Sequence, residues 1–86
     1  MTFQDSFIIY TSGRTCPWCE RAVALLEALN APFTVEILTL EMAEMIRSIS
    51  GMTTVPVIRL GEELIGGCTD LEAYIEENGE LPHGWE

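Results

Sequence analysis

The sequence predicts an α/β domain in which a mixed four-stranded sheet is flanked by three helices, in the order βαβαββα. Four segments are short apolar runs or alternate with a period of two, and three others place apolar residues at helical spacing. The chain has 86 residues, of which 48% are hydrophobic. That length supports one small core, so we expect residues 1–86 to form a single domain.

The first half of the chain is predicted to form a strand–helix–strand unit. The apolar run "SFIIYT" predicts a buried strand over Phe7–Thr11. Pro17 suits the first turn of the helix that follows, and "NAP" at 30–32 ends it. The alternating "FTVEIL" predicts a second strand over 33–38. Because such crossovers join parallel strands, strands one and two should lie side by side.

The second half is predicted to be helix, hairpin and helix. Thr39 is expected to cap the second helix, with one apolar stripe that packs in the core: Met42, Met45, Ile46 and Ile49. "VPVIRLGEELIGG" predicts two antiparallel strands that turn at Gly61-Glu62. The spacing of Thr69 and Glu72 matches a capping box, so the last helix should begin at Thr69.

The net charge of the chain restricts its partners. There are 14 acidic residues against 4 basic ones, and the formal charge is −10. A field of this sign repels nucleic acid and anionic membrane, so we expect neither as a partner. The start of the chain has no basic leader, and its apolar run is too short for a signal core or a membrane span, which favours the cytoplasm.

Two cysteines at C-x-x-C spacing are the strongest functional signal. In the cytosol such a pair is more often catalytic or metal-binding than structural. Cys16 is predicted at the N-terminus of the first helix, where unpaired N–H groups favour a thiolate. Arg14, two residues upstream, adds positive potential. We therefore expect a lowered pKa for Cys16 and an ordinary or raised pKa for Cys19. These properties predict that Cys16 attacks and Cys19 resolves the mixed disulfide.

Two other roles of the pair are weighed against this one. A structural zinc site needs four ligands, and only Cys68 and His83 are available besides the pair, so we expect no metal. An inert buried pair is possible, but it would need neither the start of a helix nor a flanking arginine.

Three motifs in order, "YTSGRTCPWCERAVALL", "GMTTVPVI" and "IGGCTDLEAYI", resemble those of the glutaredoxins, a branch of the thioredoxin-like fold. The resemblance covers most of the chain and implies a dithiol enzyme that uses Cys16 and Cys19. It implies reduction of protein disulfides and of glutathione mixed disulfides, with glutathione as co-substrate and no tightly bound cofactor. The implied partners are glutathione and disulfide-containing or glutathionylated client proteins, and a monomer is expected.

The same resemblance implies where glutathione binds. The T-V-P motif places a cis bond at Val55–Pro56, which leaves backbone groups of Val55 for an extended peptide. The start of the last helix would hold the γ-glutamyl carboxylate, and Asp70 would pair with its ammonium group. The predicted glutathione-binding residues are Arg14, Trp18, Thr54, Val55, Pro56, Gly67, Cys68, Thr69 and Asp70. Cys68 is expected to be a bystander thiol.

The chain also departs from the family pattern. Its "TSGRT" segment is one residue longer than usual and lacks lysine, and Met52 stands where a basic residue is common. A redoxin that is reduced by thioredoxin reductase therefore remains an alternative. A glutathione-assisted [2Fe–2S] dimer is a second alternative, which Pro17 disfavours. For Trp85 the sequence leaves open whether the ring folds back on the core or is exposed.

Overall fold

The computed structural model describes residues 5–82 and 84–85, so His83 lies outside the described residues. The elements follow the predicted order: β1 (Phe7–Thr11), α1 (Pro17–Ala28), β2 (Phe33–Ile37), α2 (Leu40–Ser50), β3 (Val57–Leu60), β4 (Glu63–Gly66) and α3 (Cys68–Glu77). No helix in these described ranges has the length and apolar character that a membrane crossing requires.

One mixed sheet of four strands organises the fold, in the order β2-β1-β3-β4. β1 and β2 are parallel neighbours, with Phe7 opposite Phe33, as the crossover predicted. β1 pairs antiparallel with β3, and β3 pairs antiparallel with β4 through the turn at Gly61. β1 is therefore central, and its carboxyl end leads directly into the loop that carries Cys16.

The main core lies on the face of the sheet that α1 and α3 cover. Phe7, Ile9 and Ile58 of the sheet are fully buried there against apolar residues of the two helices. The helical members of this core are Ala22, Leu25, Leu26, Cys68, Leu71 and Ile75. Burial of these side chains fixes α1 and α3 beside each other, so that their amino-terminal ends come to the same edge of the domain.

α2 packs on the opposite face, and its predicted stripe is only partly correct. Thr39 caps it as predicted, since Thr39 Oγ1 accepts from the Met42 N–H at 3.2 Å. Ile46 is buried, but Met45 is 59% exposed and Ile49 is 71% exposed. Among the described residues, the smaller core on this face has Tyr10, Ile46 and Val57 as its buried members, and Met42 packs against them, so this core covers only part of the stripe.

The start of α3 also differs from the prediction. The helix begins at Cys68, and its N-cap is Gly67 rather than Thr69. The carboxylate that folds back is that of Asp70, whose Oδ2 accepts from the Gly67 N–H at 2.9 Å. Glu72, the predicted capping partner, instead accepts hydrogen bonds from Arg21 of α1 and from Trp85. Asp70 lies three residues after Gly67 and has the short side chain that reaches this N–H.

Candidate active site

Cys16 and Cys19 occupy the first turn of α1 and are joined as a disulfide, with their Cα atoms 5.2 Å apart. Cys16 is the N-cap residue, in extended backbone conformation, and Pro17 opens the helix. The sulfur of Cys16 accepts a hydrogen bond from the Cys19 N–H at 3.2 Å. Cys19 is only 5% exposed, whereas Cys16 is half-buried. The outer sulfur is therefore the more accessible of the two.

A cleft of about 340 Å³ lies beside the pair, between α1, the loop before β3 and the start of α3. We call it the Trp18 cleft; its lining residues are Trp18, Met52, Thr54, Val55, Pro56, Gly67, Cys68, Thr69 and Asp70. The structure thus brings together eight of the nine residues predicted to bind glutathione. The Val55–Pro56 bond is cis, as the resemblance implied.

Arg14 is the predicted residue that the structure places elsewhere. It lines a different cleft, together with Thr11, Gly13, Thr15, Cys16, Cys19, Glu20, Val23 and Val35. The loop turns at Gly13, directly before Arg14, with a φ of +81°. Arg14 is thus positioned next to the cysteine pair rather than among the residues of the Trp18 cleft.

Two glycines shape the start of α3. A Cβ on Gly66, whose φ is +125°, would lie 2.5 Å from Asp70 Oδ2, so only glycine lets Asp70 fold back. A Cβ on Gly67 would lie 3.7 Å from the carbonyl oxygen of Pro56, so the helix start and the Pro56 loop are close neighbours. The N–H groups of the first turn have no acceptor within the helix, and they lie at the end that lines the cleft.

Cys68 lines the Trp18 cleft, but its side chain belongs to the core. It is 3% exposed. Burial, the largest cause, and the nearby Glu72 carboxylate together raise the pKa of the Cys68 thiol to about 11, and the Arg21 guanidinium opposes part of the rise. A thiol of this kind stays protonated near neutral pH and is a poor nucleophile. Within residues 5–82 and 84–85, no three side chains of His, Cys, Asp or Glu form a group that could hold a metal.

Two residues near the cleft were not predicted as binding residues. Met52 lines the Trp18 cleft. Arg47 lines the adjoining groove, which shares Met52, Thr54 and Val55 with the cleft. The sequence carries a signal for Met52, which directly precedes the T-T-V-P motif. Arg47 has no such signal, because only the packing of α2 brings it near this loop.

Comparison with known proteins gives the family of the chain. The family model described as Glutaredoxin matches residues 7–65. The chain belongs to the glutaredoxin family. Glutaredoxin 3 of Escherichia coli strain K12 is 42% identical over 74 residues, a match that covers 83% of this chain and 87% of the relative. Glutaredoxin-1 of Sus scrofa is 38% identical over 77 residues, covering 78% of this chain and 70% of the relative.

Solved structures show the same relationship for this glutaredoxin. The dithiolic glutaredoxin 2-C-Grx1 of Trypanosoma brucei brucei has a TM-score of 0.73 at 32% identity, covering 90% of this chain and 82% of the other. A glutaredoxin of Brucella melitensis has a TM-score of 0.69 at 37% identity, covering 88% and 83%. The fold is thioredoxin-like, and this glutaredoxin is a glutathione-dependent thiol-disulfide oxidoreductase whose redox pair is Cys16 and Cys19.

Proposed function

We propose that this glutaredoxin reduces protein disulfides and glutathione mixed disulfides, with Cys16 as the nucleophile and Cys19 as the resolving thiol. The supporting observation is the asymmetry of the pair. Cys16 is the N-cap of α1, half-buried at the surface, and its sulfur receives the Cys19 N–H, whereas Cys19 is buried. The outer sulfur has both the access and the hydrogen-bond donor that a thiolate needs.

In the dithiol reaction, the Cys16 thiolate attacks one sulfur of a client disulfide and the other client sulfur leaves as a thiolate. Cys19 then loses its proton and attacks Cys16, which forms the Cys16–Cys19 disulfide and releases the reduced client. The client gains two electrons and the pair loses two. Two molecules of glutathione reverse the change: the first forms a mixed disulfide at Cys16, and the second releases oxidised glutathione.

A second, monothiol reaction uses Cys16 alone. The Cys16 thiolate attacks the glutathione sulfur of a mixed disulfide, and the client leaves as a thiolate. A further glutathione thiolate then attacks the sulfur of the bound glutathione, which restores Cys16 and yields oxidised glutathione. This reaction requires that glutathione be held with its sulfur beside Cys16, which is the role that we assign to the Trp18 cleft.

The Trp18 cleft has the chemistry to bind a γ-glutamyl peptide. Backbone groups of Val55 would pair with the extended peptide, and the N–H groups at the start of α3 would donate hydrogen bonds to its γ-glutamyl carboxylate. Asp70 is exposed, and its carboxylate would pair with the ammonium group. One oxygen of Asp70 already accepts from Gly67, but a carboxylate offers about four acceptor positions, so both contacts are compatible. Trp18, which is 54% exposed, supplies an apolar wall.

The two arginines near the site have different proposed roles. Arg47 lies in the groove that adjoins the cleft, so it is the available cation for the glycyl carboxylate of glutathione. Arg14 lies in the cleft that also contains Cys16 and Cys19, so it acts on the thiolate as a positive charge. This division replaces the expectation that Arg14 itself binds glutathione.

We further propose that the protein works as a monomer in the cytoplasm. One chain supplies every residue that lines the Trp18 cleft, so a second copy is not needed to form it. Glutaredoxin couples lie at about −200 to −230 mV, a range that the cytosolic glutathione pool can reduce. The protein would thus transfer electrons from glutathione to client proteins and contribute to redox homeostasis.

A coupled assay tests this function. The reduced protein is mixed with a glutathionylated peptide, glutathione, glutathione reductase and NADPH, and oxidation of NADPH is followed. We expect turnover that depends on glutathione. Turnover with thioredoxin reductase and none with glutathione would favour the alternative redoxin. Anaerobic purification with visible absorption bands and about half a [2Fe–2S] cluster per chain would favour the cluster-binding dimer.

A further inference from the structure

A single carboxylate oxygen links α1, α3 and the end of the chain. Glu72 Oε2 accepts from Arg21 Nε at 2.7 Å and from Trp85 Nε1 at 2.7 Å. The guanidinium carbon of Arg21 lies 5.0 Å from the centre of the Trp85 ring, within cation–π distance. The three side chains therefore contact one another in a closed group, which we call the Glu72 clamp.

The clamp lies one turn away from both halves of the site. Arg21 is in the second turn of α1, directly after the turn that holds Cys16 and Cys19. Glu72 is one turn after Cys68, at the start of α3, where the helix lines the Trp18 cleft. The clamp thus joins the helix that carries the nucleophile to the helix that begins at the γ-glutamyl end of the cleft.

The clamp has electrostatic contact with the wall of the cleft. The Glu72 carboxylate raises the pKa of the Cys68 thiol, and the Arg21 guanidinium lowers it. Both charges are therefore near Cys68, a residue that lines the Trp18 cleft. A change in the charges of the clamp would therefore change the electrostatic potential at the start of α3.

An isolated surface ion pair contributes little and rarely fixes a geometry. The clamp differs in three ways. The side chain of Glu72 is only 19% exposed and that of Arg21 35%. The acceptor oxygen is shared by two donors. Trp85 packs against the main core, so its ring anchors the group from outside both helices.

We propose that the Glu72 clamp sets the distance between Cys16 and the start of α3, which makes Glu72 and Trp85 positioning residues for the glutathione moiety. The inference rests on the proposed function, because it assumes that the Trp18 cleft binds glutathione. The clamp contacts neither the sulfur of Cys16 nor the predicted ligand, so it acts through the placement of two helices. Small misplacements of this kind weaken binding of a substrate that must reach both ends of a site.

The test uses two conservative variants and a matched control. Trp85→Phe keeps the ring and removes the N–H donor, and Glu72→Gln removes the charge that Arg21 pairs with. Glu76→Gln removes the same charge from an exposed position one turn further along α3. Each protein is assayed for kcat and KM with a glutathionylated peptide, and for the rate at which iodoacetamide alkylates Cys16. All assays are run below the melting temperature of every variant.

We expect Trp85→Phe and Glu72→Gln to raise KM about three- to tenfold, as the loss of an ordinary hydrogen bond would. The kcat value and the alkylation rate of Cys16 should stay within about twofold of the parent, and Glu76→Gln should match the parent in all three. An unchanged KM in both variants would overturn the proposal, even if their melting temperatures fall. Parallel losses of kcat and alkylation rate would overturn it too. If the parent protein itself fails to turn over the peptide, the proposed function is wrong and not merely the clamp.

Discussion

The backbone N–H of Cys19 donates to the sulfur of Cys16 at 3.2 Å, and in the reduced protein the same N–H would stabilise a thiolate on Cys16. The same turn hides the Cys19 side chain in the core, where it is 5% exposed. The position of Cys16 at the N-cap adds the partial positive charge of the helix terminus. We therefore expect this single helical turn to give the two thiols different reactivity.

The two cysteine variants should separate the two reactions. Cys16→Ser should lower both activities by at least about a thousandfold, because it removes the nucleophile of each. Cys19→Ser should keep the release of glutathione from a mixed disulfide and lose the reduction of a protein disulfide. Both activities are measured in the coupled assay with the corresponding substrate. If Cys19→Ser proved to be the inactive variant in both assays, the assigned roles would be reversed.

Asp70 accepts from the Gly67 N–H in the structure and is proposed to bind the ammonium group of glutathione, and two variants can separate these roles. Asp70→Ala should raise KM for the glutathionylated peptide about three- to tenfold and lower the free energy of unfolding by about 1 kcal/mol, because it loses the ammonium contact and the bond to the Gly67 N–H. Asp70→Asn keeps an acceptor for Gly67 and loses the charge. It should raise KM and leave the stability close to that of the parent. Unchanged KM in both variants would contradict the ammonium contact.

Gly66 is required by the conformation of Asp70. Gly66→Ala should cost about 2–3 kcal/mol of unfolding free energy, since a φ of +125° is strained for alanine and its Cβ would meet Asp70. Gly79→Ala is the matched control, because Gly79 also has positive φ, at +72°, with nothing within 4 Å of the added Cβ. That variant should lose about 1 kcal/mol. Chemical denaturation measures both, and equal losses would argue against the Asp70 contact.

The buried Cys68 should make stability depend on pH in the alkaline range. Its pKa is raised from 9.0 to about 11 by burial and by Glu72. Between pH 9.0 and about 11, the Cys68 thiol has lost its proton in the unfolded chain and keeps it in the folded chain. The free energy of unfolding should therefore fall as pH rises, by up to about 1.4 kcal/mol per pH unit, and the contribution is complete below pH 9. Cys68→Ala should lack this slope when oxidised proteins are compared by denaturation at each pH.

Local signals predicted most of the fold. The crossover, the hairpin at Gly61 and the cap at Thr39 each depend on residues close together in the sequence, and each is confirmed. Met45 and Ile49 were wrongly predicted to be buried. Periodicity shows which residues of α2 form an apolar stripe, but it does not show how much of that stripe the sheet covers. The start of α3 was missed because Gly67 with Asp70 and Thr69 with Glu72 both have the spacing of a capping box, and the turn at Gly66 decides for the first pair.

The site was predictable to a similar extent and for similar reasons. The motifs placed eight of the nine predicted binding residues in one cleft, although their role in binding stays a prediction. Arg14 lines the neighbouring cleft that contains the cysteine pair, and its role in binding also stays a prediction. The contact of Glu72 with Arg21 and Trp85 could not be predicted, since it joins three segments far apart in the sequence.

The central claim is that the first turn of α1 makes Cys16 far more reactive than Cys19. The most direct measurement is the rate of alkylation by iodoacetamide in the reduced protein as a function of pH, with Cys19→Ser and Cys16→Ser each leaving one thiol of the pair and Cys68→Ala in the background. We expect Cys16 to react at least about tenfold faster than Cys19 at pH 7, with its rate already at a plateau near neutral pH. Equal and slow rates for the two thiols at pH 7 would contradict the account.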